Sequence, residues 1–202
     1  LGWSPKENRE IVSLQEVIQM FDLPQILRHN ARFNIDKLHW INGEYIKLMT
    51  QERFNQFASA ALERDGISVK NFPANYINAA FSTCKEKIKQ FTETKTFADF
   101  YFLPTLEVEE QSRQDLKPEN GRIMQKTREI LNGVTDFTAD NINQAVKKSA
   151  AELGIKIGLV VHPTRLACTG KTVGPSLYHL MEVLGKEKVL ERIDRFVAQC
   201  GV

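Results

Sequence analysis

Residues 162–178 have the sequence HPTRLACTGKTVGPSLY, which is the most informative local pattern in the chain. An apolar run at residues 157–161 precedes it and predicts a helix that leads into this stretch. Small residues and the Gly174-Pro175 turn then expose backbone donors and acceptors beside Arg165. Such a surface can hold unstacked bases, because arginine stacks on bases or bonds to their edges. An ordinary connection between two helices with a surface arginine fits the same residues, so both interpretations stay open here.

The Gly170-Lys171-Thr172 sequence resembles the end of a phosphate-binding loop. That motif requires a glycine five residues before its Gly-Lys pair, and Arg165 occupies the position. The sequence also contains no nucleophile elbow and no Ser-His-Asp arrangement. We therefore predict no catalytic residues in this chain.

Outward from this stretch, apolar residues recur at helical spacing and strand-type alternation is almost absent. Ser13 and Glu16 have the spacing of a capping box, while Thr50 and Thr138 can each cap a helix. The spacing predicts helices over residues 14–21, 38–49, 51–64, 75–91, 123–131, 139–153, 177–184 and 187–197. The fold class expected from this pattern is all-α.

The segment at residues 105–120 is acidic and polar, which is typical of a surface connection. We place a domain boundary there, which predicts two consecutive helical bundles at residues 1–107 and 108–202. A chain of 202 residues is long enough for two small domains.

Charge and cysteine content narrow the class of protein further. The chain has 27 basic and 25 acidic residues, a balance that neither requires nor excludes a nucleic-acid partner. Basic residues in the last third, Lys171 among them, are expected to lie on solvated helix faces. Three scattered cysteines without metal-ligand spacing predict reduced thiols, no metal site and a cytosolic setting. No membrane span or signal peptide is expected, and the absence of an initial Met suggests a piece of a longer protein.

Two blocks of sequence resemble bacterial-type glutamyl-tRNA synthetases. The first follows the pattern P-x-R-x-A-x-T-G from Pro163 to Gly170, continues at Pro175 with P-x-L-[FY], and ends in L-G-K-E at residues 184–187. The second, at residues 33–46, follows F-[DN]-x-x-K-L-x-W-x-N-G-x-Y-I. Both occur in the family's order. The resemblance implies two helical-cage anticodon-binding domains, the first joined to a stem-contact end.

In this family a Rossmann-type domain with HIGH- and KMSKS-like signatures binds ATP and glutamate, and neither signature occurs here. The resemblance therefore implies a non-catalytic piece of an aminoacyl-tRNA ligase. ATP and Mg²⁺ would act in the missing catalytic domain, and no cofactor is expected in this piece. The expected partner is tRNA(Glu), with tRNA(Gln) left open as a second one. The parent enzyme is expected to be a cytoplasmic monomer.

The resemblance also assigns roles to individual residues. Arg165 falls on the arginine that contacts the anticodon, and the turn of Gly174, Pro175 and Leu177 falls on a segment that contacts anticodon bases. A relative carries Thr where Gly174 stands, so a hydroxyl contact is expected to be absent here. Lys37 falls on a lysine that contacts the tRNA backbone.

Lys87 falls near a basic residue that senses the third anticodon base. Members that discriminate strictly between tRNAs carry arginine there. Lysine is a point charge without arginine's planar fork, so the resemblance predicts a weaker separation of tRNA(Glu) from tRNA(Gln).

A helical protein–protein scaffold without RNA binding is the alternative function. It would require an exposed apolar groove and a neutral concave face. Composition and helix pattern alone do not separate it from an RNA-binding domain.

Overall fold

The computed structural model describes residues 2–5, 9–27, 30 and 32–202. Across these ranges the chain is helical and contains no strand, which confirms the all-α prediction. The α-helices are α1 (Leu14–Met20), α2 (Ile35–Leu48), α3 (Gln51–Arg64), α4 (Ala74–Cys84), α5 (Thr94–Phe102), α6 (Pro118–Asn132), α7 (Ala139–Leu153), α8 (Gly158–Thr169), α9 (Leu177–Leu184) and α10 (Lys186–Gln199). Short 3₁₀ helices lie at Leu23–Gln25, Phe91–Glu93 and Glu110–Asp115.

The predicted helix caps are present. Ser13 and Glu16 form both hydrogen bonds of the capping box at the start of α1. Thr50 accepts from the backbone N–H of Arg53 at the start of α3, and Thr138 does the same for Asn141 at α7. The helix α7 ends at Gly154 in the left-handed conformation, with φ of +65°. Local sequence is therefore sufficient to set these boundaries.

The helix α8 differs from the prediction, because it continues through Pro163 to Thr169 and includes Arg165. Proline removes one backbone hydrogen bond from a helix interior. That loss is offset by packing, since Leu166, Ala167 and Cys168 in the last turns are all buried. Arg165 thus projects from a helix rather than from a loop.

The predicted helix at residues 75–91 is also shorter, because α4 ends at Cys84. A turn follows in which the carbonyl of Cys84 accepts from the N–H groups of Lys87 and Ile88. This turn directs Ile88 into the core, where the residue is fully buried. The helical spacing of apolar residues continues past Cys84, but the helix ends there and Ile88 is buried from the turn instead.

The segment at residues 105–120 is not simply a surface connection. Leu106, Val108 and Leu116 pack against the core, and Ser112 is buried. The sequence pattern did not predict these contacts, because each apolar residue in this segment stands alone among polar and acidic residues. The expectation of a wholly surface segment was wrong.

Buried side chains from both sides of residue 107 belong to one hydrophobic cluster, which begins at Ile46 and extends to Cys200. We call α1–α5 the first part and α6–α10 the second part. In the first part Phe54, Phe81, Phe100 and Tyr101 are fully buried. In the second part α6 packs along α10 and α7. The domain boundary itself stays a prediction.

Within the described ranges, no helix combines the length and the apolar composition required to cross a bilayer.

Candidate nucleic-acid interface

Arg165 lies half-buried on α8, and its Nη1 donates a hydrogen bond of 2.7 Å to the backbone oxygen of Pro175. Burial lowers the pKa of Arg165 from its ordinary value. Arginine keeps its charge even so, because that ordinary value lies far above neutral pH. The contact joins α8 to the α8–α9 loop (residues 170–176) and holds the guanidinium in one orientation.

The rest of the Arg165 guanidinium forms no hydrogen bond with the described part of the chain. An arginine carries five N–H donors, and the Nε and Nη2 edge points away from the Nη1–Pro175 contact. Two parallel donors on that edge match two acceptors of a base or of a phosphate. The side chain can therefore bind a planar polar partner without breaking its internal bond.

Gly174 lies directly against Arg165. A Cβ atom placed on Gly174 would be 3.2 Å from Nη1 of Arg165, closer than most real contacts of a Cβ atom. Its φ is not in the left-handed region, so glycine is needed here for space rather than for backbone conformation. The loop can approach the guanidinium this closely because residue 174 has no side chain.

Pro175 and Leu177 are buried. The side chain of Leu177 packs into the core as the first residue of α9, so only its backbone can contact a partner. Ser176 precedes the helix, but its hydroxyl pairs with Nδ1 of His179 at 2.9 Å and does not cap the helix. The first-turn N–H groups of α9 are donors without a side-chain cap. Together with Arg165, this loop presents backbone and guanidinium donors.

A groove of about 370 Å³ lies between α4 and α9, beside this loop. Hydroxyl groups line it from both sides, Ser82 and Thr83 from α4 and Ser176 from the loop end. The remaining lining residues are Ala79, His179, Glu182 and Val183. Both parts of the molecule thus contribute to one mixed polar and apolar surface.

Lys87 and Lys37 do not contact this loop. Lys87 is exposed in the turn after α4, where only its backbone N–H bonds to Cys84 at 2.8 Å. Lys37 is exposed on α2, and its ammonium forms an ion pair of 2.5 Å with Glu10. The structure therefore brings Arg165, Gly174, Pro175 and Leu177 together and leaves the two lysines apart from them.

Lys171 was expected on a solvated face, and the structure contradicts this. Its side chain is 12% exposed and pairs with Asp99 of α5, which is 9% exposed, at 2.7 Å. Burial raises the pKa of Asp99, while the Lys171 ammonium acts in the opposite direction. An acid within the aromatic run at residues 97–102 was the sequence signal for this pair.

The cysteines offer no reactive thiol. All three are buried, and none forms a disulfide. Burial raises the pKa of Cys84 and of Cys168 to about 12, so both are protonated at neutral pH.

A family model described as an anticodon binding domain matches residues 49–197. The match begins close to Ile46, where the buried core starts. The glutamate–tRNA ligase of Methylacidiphilum infernorum is 38% identical over 98% of the chain, and glutamate–tRNA ligase 2 of Caldicellulosiruptor saccharolyticus is 33% identical over 96%. The chain spans 45% and 41% of these two relatives, less than half their length.

Solved structures agree with this match. A crystal structure of a glutamate tRNA ligase from Elizabethkingia meningosepticum superimposes with a TM-score of 0.82 at 30% identity, covering 98% of this chain and 39% of that one. The glutamate–tRNA synthetase of Elizabethkingia anophelis gives a TM-score of 0.78 at 29% identity, over 98% and 38% of the two chains. The chain therefore belongs to the anticodon-binding domain family, in the form found in glutamate–tRNA ligases.

Proposed function

We propose that this chain recognises the anticodon of tRNA(Glu) as part of a cytoplasmic, monomeric glutamate–tRNA ligase. Its similarity to glutamate–tRNA ligases over 98% of its length supports the assignment. In the whole enzyme the ligase would use ATP to join glutamate to the tRNA, and this chain would select the tRNA. The Arg165–Pro175 hydrogen bond carries the proposal most directly, because it orients a charged fork beside backbone donors.

Base recognition requires donors and acceptors in a fixed arrangement. Anticodon bases unstack from their loop, and their exposed edges are then open to hydrogen bonding. The free Nε and Nη2 edge of Arg165 would bond to the acceptors of one base. The uncapped N–H groups at the start of α9 would bond to the acceptors of a second base. Leu177 would take part through its backbone alone, because its side chain is buried.

The two exposed lysines have a different role in this proposal. Phosphate contacts supply affinity without sequence information and weaken as salt displaces them. Lys37 would exchange its exposed ion pair with Glu10 for a phosphate of the tRNA backbone. Lys87 would lie near the third anticodon base, where an ammonium is less selective than a guanidinium. We therefore expect tRNA(Gln) to bind as well, more weakly than tRNA(Glu).

ATP and Mg²⁺ would be bound by the catalytic domain of the whole enzyme. In the part of this chain that the structure covers, no group of three or more His, Cys, Asp or Glu side chains could hold a metal ion. The described residues do not fit a metal site, so we assign them no step that uses Mg²⁺.

The test is a titration of the chain with tRNA(Glu), tRNA(Gln) and a tRNA(Glu) transcript whose anticodon bases are replaced, each at low and high salt. We expect binding that falls steeply with salt for all three, because phosphate contacts are common to them. The replaced transcript should bind more weakly than tRNA(Glu) at both salt concentrations, because base contacts depend less on salt.

Absence of tRNA binding even at low salt would favour the alternative of a protein–protein scaffold. Equal binding of tRNA(Glu) and the replaced transcript would show an RNA-binding protein that does not recognise the anticodon. Either result would contradict the proposed function.

A further inference from the structure

Lys171 ties the α8–α9 loop to the first part of the molecule. Its Nζ lies 2.7 and 2.8 Å from the two carboxylate oxygens of Asp99. It also lies 3.0 and 3.1 Å from the backbone oxygens of Lys95 and Thr96 in the same helix, α5. An ammonium has three protons, so these four acceptors use all of its donor capacity. The side chain is fully committed to this contact and has no donor left for a ligand.

Burial distinguishes this ion pair from the others. In each of the other ion pairs between described residues, at least one side chain is 37% exposed or more. A buried pair adds little net stability, because both charges lose their hydration. It does favour one relative position of its two groups. The pair is therefore better suited to fixing geometry than to raising stability.

Other contacts already hold the two parts together. Arg192 of α10 is buried, and its Nη2 donates to the backbone oxygen of Phe100 at 2.6 Å. Its Nη1 donates to the backbone oxygen of Cys168. Lys188 donates to the backbone oxygen of Tyr101 at 3.2 Å. Loss of Lys171 would consequently release the loop from α5 without separating the two parts.

Within the second part, the loop has attachments only near its ends. The hydroxyl of Thr169 bonds to the backbone of Lys171, and Arg165 bonds to Pro175. The intervening Thr172 and Val173 are exposed. The backbone oxygen of Gly170 also accepts from the N–H of Glu109 at 3.0 Å, before α6 begins. Lys171 is thus the side chain whose described hydrogen bonds join this exposed loop to α5.

We propose that Asp99 and Lys171 are positioning residues whose ion pair holds the α8–α9 loop at the distance from α4 that anticodon recognition requires. The inference rests on the proposed function, because it assigns the loop a role in contacting bases. Arg165 and the start of α9 would then meet the same RNA as Lys87 in the turn after α4. Neither Asp99 nor Lys171 would touch the RNA.

The test compares two variants with a matched control. Lys171→Met removes the ammonium and leaves Asp99 unpaired, whereas Asp99→Asn/Lys171→Met removes both charges at nearly constant volume. Lys186→Met is the control, because Lys186 also donates to two backbone oxygens, those of Asn132 and Val134, but within the second part. The double variant should unfold at a temperature close to wild type, since no unpaired buried charge remains.

Hydrogen exchange provides a readout that does not depend on RNA. In both Lys171 variants we expect faster exchange of the amides of residues 171 and 109, which donate hydrogen bonds to Thr169 and to Gly170 where the loop begins. Exchange in α9 and α10 should be unchanged. The Lys186 control should leave the amides of residues 171 and 109 at the wild-type rate. Unchanged exchange of these two amides in the Lys171 variants would overturn the proposed anchoring.

Binding of tRNA(Glu) and of the anticodon-replaced transcript provides the second readout. The preference for tRNA(Glu) should fall about tenfold in both Lys171 variants, the size of one good base contact. It should stay at the wild-type value in Lys186→Met. A stable double variant that keeps its preference would overturn the inference alone. A wild-type chain without any preference would overturn the proposed function and, with it, the role assigned to the pair.

Discussion

The helix α8 and the turn at residues 85–87 each carry a basic residue assigned to the anticodon, but they hold these residues in opposite ways. Arg165 is half-buried and bonded to Pro175, whereas Lys87 is exposed and bonded only through its backbone. A long side chain that is free in solution loses rotamer entropy worth about 1.5–2 kcal/mol when it is ordered. The internal bond of Arg165 means that part of this entropy is already lost before RNA binds. Charge alone therefore does not define a recognition residue. The contacts that hold a basic side chain in one orientation decide how selectively that side chain can bind.

Arg165→Ala should have the largest effect on tRNA binding, because it removes the side chain that the hydrogen bond to Pro175 holds in place. A base-specific bidentate contact is worth about 1–3 kcal/mol, so we expect tRNA(Glu) to bind about tenfold to hundredfold more weakly. Binding of the anticodon-replaced transcript should weaken much less. Filter binding or fluorescence anisotropy at one fixed salt concentration would measure both dissociation constants.

Two further variants test whether the loss of binding in Arg165→Ala comes from the planar guanidinium, from the charge or from a change in folding. Arg165→Lys keeps the charge and should still lose most of the preference for tRNA(Glu). Arg128→Ala removes a partly exposed arginine of α6 that pairs with Asp194 of α10, and it should leave tRNA binding unchanged. Equal losses on both transcripts in Arg165→Ala would mean that Arg165 contacts phosphate rather than a base.

Gly174→Thr should have the next largest effect. Its Cβ would press on Nη1 of Arg165 and shift the guanidinium by a few tenths of an ångström. Inserting atoms into a packed site costs about 1–3 kcal/mol, so we expect about fivefold or greater weakening of tRNA(Glu) binding. A titration of the variant beside wild type would measure this.

The contrary outcome for Gly174→Thr is also informative. Tighter binding would mean that the added hydroxyl contacts a base and that Arg165 adjusts. Gly66→Ala is not a useful control, because the φ of Gly66 is +80° and alanine would be strained there. Gly158→Ala is suitable, since its Cβ meets no atom within 4 Å and its φ is not in the left-handed region.

Lys87→Arg tests the turn at residues 85–87, where the basic residue is exposed and is bonded only through its backbone. If Lys87 lies near the third anticodon base, a guanidinium should raise the preference for tRNA(Glu) over tRNA(Gln). An exposed charge contributes little, so the expected change in the ratio of dissociation constants is about twofold to fivefold. Lys70→Arg, on another exposed lysine, serves as a control. An unchanged ratio in Lys87→Arg would place Lys87 away from the base.

Lys37→Gln should have the smallest effect at physiological salt. Removing one phosphate contact should reduce the slope of log affinity against log salt by about one, with no change in anticodon preference. Titrations at four salt concentrations would measure the slope. Glu10→Gln releases Lys37 from its ion pair and should change binding slightly in the opposite direction. A slope unaffected by either change would remove Lys37 from the interface.

Most of the fold could be predicted because its signals are local. Ser13, Thr50 and Thr138 cap the helices that their sequences predict, and Gly154 ends α7 as expected. The two helix errors have a common cause. Burial of residues 166–168 continues α8 beyond Pro163, and burial of Ile88 follows the end of α4 at Cys84. In both places tertiary packing outweighs local preference.

The candidate site shows the same division. The pattern around Arg165 and Gly174 is contiguous in sequence, so the cluster of Arg165, Gly174, Pro175 and Leu177 was within reach of motif comparison. The Asp99–Lys171 pair joins residues 72 positions apart. An acid within the aromatic run at residues 97–102 indicates a buried charge but does not identify its partner. Lys171 even occurs in a sequence that resembles a phosphate-binding loop, which directs attention to the wrong chemistry.

The sequence by itself determined the helical class, the caps and the identity of the basic and small residues at the site. These properties depend on backbone preferences and side-chain chemistry that act over a few residues. Only the tertiary structure decided that Arg165 is held by Pro175, that Lys171 is buried against Asp99 and that Lys87 stays in solvent. Burial and long-range pairing set those states, and both depend on elements that meet only after the chain has folded.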